Sequence, residues 1–69
     1  MEFLISITTD NAAFDVEDFE GCANGREVAR ILRKVAVAVE IQGALDYGQA
    51  WPLIDINGNK VGLAEVQGY

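Results

Sequence analysis

Four carboxylates fall within one seven-residue stretch, Phe14-Asp15-Val16-Glu17-Asp18-Phe19-Glu20, alternating with apolar side chains. Carboxylates at such spacing have two chemical uses. A pair such as Glu17 and Glu20 can divide acid–base work, as in the hydrolysis of a sugar. An exposed array can attract a basic groove and seat an aromatic side chain, here Phe14 or Phe19, inside it. The first use needs a cleft and further positioned groups, and no assembled constellation accompanies these acids. The second needs only exposure, which charged side chains adopt in any case because burying them is costly. A plain solvated segment, with Phe14, Val16 and Phe19 covering one edge of the core, is the competing reading.

The remaining reactive residues resolve into structural roles. Asp55-Ile56-Asn57-Gly58-Asn59 has the oxygens of a calcium loop, but Lys60 stands where the glycine belongs and Val66 where the closing glutamate belongs. Asn57-Gly58 is better read as a hairpin turn. The only Cys is Cys22 and there is no His. That excludes an internal disulfide and an ordinary zinc site, and it leaves the thiol without a general base. The glycines at 21, 25, 58 and 62 do not assemble a phosphate cradle. No catalytic, cofactor-binding or metal-ligating set emerges, so the chain reads as a non-enzyme.

Charge narrows the partners. Eleven acids against five bases leave a net charge of −6, and no Lys or Arg precedes Arg26. A surface of this sign opposes direct contact with nucleic acid and with an anionic membrane. It favours a protein partner with a basic, nucleic-acid-binding groove. Arg26, Arg30, Arg33 and Lys34 form a basic face that can neutralise the acids or pair with a second copy. Trp51 beside Pro52 is either an interface anchor or a lid on the core. The longest apolar run, Val35 to Val39, is too short to span a bilayer. Met1-Glu2-Phe3 lacks a basic leader, so a cytosolic setting is expected, in keeping with a reduced cysteine.

The elements that must position these residues follow from periodicity. Phe3, Ile5 and Ile7 alternate with Leu4, Ser6 and Thr8 as in a strand. Val28, Ile31, Leu32, Val35 and Val39 recur at helical spacing. This predicts a helix over 25–42, capped by Asn24 with Glu27 as its capping-box partner and ended by Gly43. Leu53 to Ile56 and Asn59 to Val66 flank Asn57-Gly58 as a hairpin. A two-residue type I′ loop there sets Asp55 opposite Lys60 and Ile54 opposite Val61. The expected fold is one small α+β domain over residues 1–69, with the helix packed on a small antiparallel sheet. Its expected core is Phe3, Ile5, Ile7, Val28, Ile31, Leu32, Val35, Val39, Ile54, Ile56, Val61 and Leu63. One open sheet edge allows a monomer or a homodimer.

Three stretches carry a resemblance. Ile7-Thr8-Thr9-Asp10-Asn11-Ala12-Ala13-Phe14, Glu27-Val28-Ala29-Arg30-Ile31-Leu32-Arg33 and Leu53-Ile54-Asp55-Ile56-Asn57-Gly58-Asn59-Lys60-Val61-Gly62 resemble a group of short phage and prophage proteins. Those proteins share a T-D-N-A-A-F stretch, an E-V-A-R-I-L-R helix and a D-I-N-G-N hairpin, mostly without an assigned activity. The resemblance implies phage origin. In size, acidity and want of catalytic residues the chain is also similar to anti-CRISPR proteins, which share no common motif. That similarity implies an inhibitor that blocks DNA binding by a type I CRISPR surveillance complex. Asp15, Glu17, Asp18 and Glu20 would stand in for phosphates, with Phe14 and Phe19 docking beside them. A phage structural or accessory adaptor, binding a protein through apolar surface, is the alternative.

Overall fold

The computed structural model describes residues 1–10 and 23–68. The elements run β1 (Glu2–Ile7), α1 (Ala23–Gln42), β2 (Ala50–Ile54) and β3 (Lys60–Gln67). β3 lies in the centre of a three-stranded antiparallel sheet, with β1 on one side and β2 on the other. This is the α+β arrangement of N-terminal strand, helix and C-terminal hairpin.

The helix ends where the sequence requires. Gly43 takes φ of +77°, a left-handed conformation that spares it the Cβ clash. Its amide donates to the Val39 carbonyl at 3.1 Å. The start differs from expectation. α1 begins at Ala23, so Asn24 lies inside the first turn rather than before it. The Glu27 carboxylate does not turn back to cap the helix; it leaves toward the hairpin.

The hairpin turn is also longer than the two-residue loop. The Gly58 amide donates to the Asp55 carbonyl at 3.0 Å, and the Asp55 amide donates to the Asn59 carbonyl at 2.9 Å. Gly58 has φ of +88°, whereas among the described residues none other than glycine has positive φ. Asn57 is therefore outside the left-handed region that a type I′ loop demands. The turn is the type I form closed by a left-handed glycine. It pairs Ile54 with Lys60 and Leu53 with Gly62, leaving Val61 as an extra residue in a bulge.

That register decides which side chains are inside, because a one-residue slip exchanges the two faces of a strand. Leu53 and Asp55 turn inward, at 2% and 3% exposure. Ile54 and Ile56, expected in the core, are exposed instead. The core is Ile31 and Val35 from α1 against Leu53, Val61 and Ala64, with Phe3, Ile7, Val28, Val39 and Trp51 packed around it. α1 lies against β2. On the far strand, β1, Ile5 shares a face with Ala64 and Trp51, yet it stays 42% exposed. Leu32, also expected inside, is exposed on the helix.

The two sheet edges differ. The Val66 amide bonds to the Gln49 carbonyl, which fixes the phase of the β2–β3 ladder. In that phase Ala50, Pro52 and Ile54 direct their backbone groups away from β3. Pro52 has no amide hydrogen to offer, and the Ile54 carbonyl is taken by Arg30 Nη2 at 3.1 Å. On the other side, the Thr8 amide bonds to the Val61 carbonyl at 2.7 Å. That phase directs the backbone groups of Phe3, Ile5 and Ile7 outward.

Candidate functional site

Glu27 joins the helix to the hairpin tip. Its carboxylate accepts Arg30 Nε at 2.7 Å and Arg30 Nη2 at 2.9 Å, a spacing of three residues that aligns them on one helical face. The same carboxylate accepts the Ile56 amide at 2.7 Å. Arg30 then reaches the Ile54 carbonyl, so both residues grip the same turn. Glu27 is buried. The Arg30 guanidinium holds its carboxyl below the ordinary value, aided by the Ile56 amide and opposed by burial. Glu27 in turn raises Arg30. A spacing of three residues makes Glu27 and Arg30 helical neighbours, but nothing in the sequence pointed to Ile56.

Asp55 organises the turn from within. Its Oδ1 accepts the amides of Asn57 and Asn59, each at 2.9 Å. An aspartate bonding backbone two residues on is the usual Asx turn. The oxygens that suggested a calcium loop thus serve the hairpin. Among the described residues, no group of three His, Cys, Asp or Glu side chains could hold a metal ion.

Trp51 acts as a lid on the core. It is half-buried, and its ring lies 5.8 Å from that of Phe3 at a 40° tilt, within the range of favourable aromatic pairs. Between α1 and β2 lies an apolar cleft of about 250 Å³, floored by Ile31, Val35, Trp51 and Leu53 with Lys34 at its rim. Its size falls just short of the ~300 Å³ at which small-molecule sites begin. Its lining can receive an apolar side chain, and Lys34 is its one charged member. On the outer side of α1, Val37 and Ile41 are 59% and 81% exposed. Arg30, Arg33 and Lys34 flank them.

The sequence-predicted contact residues Phe14, Asp15, Glu17, Asp18, Phe19 and Glu20 lie outside the described residues, as does Cys22. The described acids divide into two sets, with Glu65 between them, half-buried and accepting from Gln67 Nε2. Glu27 and Asp55 are turned inward. Glu2, Asp10, Glu40 and Asp46 are exposed, and their carboxylates enter no ion pair. Among the described residues, no helix is long and apolar enough to cross a membrane. No family model, curated protein or solved structure matches the chain.

Proposed function

We propose that this protein works by occupying a protein partner, as a phage-type inhibitor that offers carboxylates to the basic nucleic-acid groove of a host complex. A type I CRISPR surveillance complex is the specific target to test. One observation carries the reading: the described surface acids Glu2, Asp10, Glu40 and Asp46 are exposed and enter no ion pair, while Arg30 is committed to Glu27. The excess negative charge is thus left for an outside partner. Seated charge pairs at an interface can be worth about 1.5–7 kcal/mol, against ~1 or less for exposed ones. The clustered Asp15, Glu17, Asp18 and Glu20 are therefore the acids best suited to the contact, with Phe14 and Phe19 beside them.

The test is competition with DNA for the purified complex. Wild-type protein should displace DNA. The combined Asp15→Lys, Glu17→Lys and Asp18→Lys variant should not, while keeping its circular dichroism spectrum. Undiminished competition by that variant rejects the acidic stretch as the contact. Failure of the wild type rejects the target.

A second reading, an accessory adaptor that binds through apolar surface, is favoured by the exposed Val37 and Ile41. Salt separates the two. Screening weakens a charge-driven complex far more than an apolar one.

A further inference from the structure

We propose that the outer edge of β1 pairs with β1 of a second copy, antiparallel about a two-fold axis through Ile5. The two three-stranded sheets then become one. The backbone amides and carbonyls of Phe3, Ile5 and Ile7 point away from β3, and among the described residues no other segment bonds to them. An unpaired row of this kind is a template for another strand. The opposite edge is closed by Pro52 and by Arg30 on the Ile54 carbonyl, so β1 is the edge left to pair.

Charge and sequence select a second copy as the occupant. About Ile5 the strand reads as its own complement: Ile5 of one copy faces Ile5 of the other, Phe3 faces Ile7, Leu4 faces Ser6, and Glu2 faces Thr8. Glu2 is the one charged residue of β1, and in this register it meets a hydroxyl rather than a like charge. The pairing also brings Ile5, 42% exposed, against its own counterpart. Six strand residues span only ~20 Å, an edge too short to bury the ~1,200 Å² at which stable interfaces begin, so the dimer is transient and concentration-dependent. Each copy carries −6, and added salt therefore strengthens the association by screening. That sign is opposite to the one expected for an acidic contact with a basic groove.

Sedimentation velocity over a ~100-fold range of protein concentration tests the dimer, and hydrogen exchange locates it. The amides of Phe3, Ile5 and Ile7 should gain protection as concentration rises, while those of Leu4 and Ser6 stay protected throughout. Ile5→Pro removes an outward amide without breaking the β1–β3 ladder, and should weaken association ~10-fold or more. Ile5→Lys brings two cations together at the axis and should do the same, which keeps the test decisive if the proline variant does not fold. A protein that is monomeric throughout overturns the proposal, as does a dimer whose outward β1 amides exchange freely.

Discussion

The Glu27 carboxylate accepts the Ile56 backbone amide at 2.7 Å across 29 positions of sequence. It ties the first half of α1 to the tip of the β2–β3 hairpin, and Arg30 completes the grip from the same helical face. Removing it should loosen helix and hairpin together. Glu27→Ala is expected to cost about 2 kcal/mol, and Glu27→Gln about 1, since the amide can still accept from Ile56. Urea unfolding followed by circular dichroism measures both.

Acid should produce the same loss in the native chain. The folded carboxyl of Glu27 sits below its ordinary value of 4.5. Its stabilising contribution is therefore fully present above that value and disappears as pH falls through the lower folded one. Melting temperatures of wild type and Glu27→Gln should differ at neutral pH and converge on acidification below about pH 4.5. A constant gap across that range would show that ionisation of Glu27 is not what holds the hairpin.

Asp55 should matter more than Lys60, although turn chemistry read from sequence pairs the two. Asp55→Ala leaves the amides of Asn57 and Asn59 without their acceptor and is expected to cost about 1–3 kcal/mol. Lys60→Gln, on an exposed side chain opposite Ile54, should stay within about 0.5 kcal/mol of wild type. Equal losses would restore the direct Asp55–Lys60 pairing.

Gly62 is held by space. A Cβ there would overlap the Ser6 carbonyl oxygen and lie 2.9 Å from its carbon, both backbone atoms that can retreat only by spreading β1 from β3. Gly62→Ala is expected to cost roughly 1–3 kcal/mol and to raise exchange of the Ser6 and Thr8 amides. By contrast, Val37→Asp and Ile41→Lys stand in open solvent and should leave stability within about 0.5 kcal/mol. They should impair partner binding only if the apolar side of α1 is the contact.

The element order and the helix stripe were legible in the sequence, because Ile31, Val35 and Val39 repeat at helical spacing and Gly43 marks a stop. The hairpin was legible as a hairpin but not in its register. Asn57-Gly58 suits a two-residue loop, yet the buried Asp55 carboxylate stabilises a longer one by satisfying two amides. That choice reverses β2, so Leu53 rather than Ile54 enters the core. Ile5 was read as core from alternation alone, which cannot show that α1 packs chiefly on β2 and that Ile5 stays 42% exposed. The Glu27–Ile56 bond was invisible because it joins a helix to a turn far along the chain. The acidic stretch from Phe14 to Glu20 keeps its sequence argument, charge without local bases, and lies outside the described residues.

Pro52 carries one last implication. A sheet with two live borders can add neighbours without end and grow into a fibre, whereas a sheet with one border sealed stops after a single union. With its second border closed by an imino acid and a guanidinium-capped carbonyl, this molecule has a built-in terminator. It can meet its own kind once and still resist polymerisation.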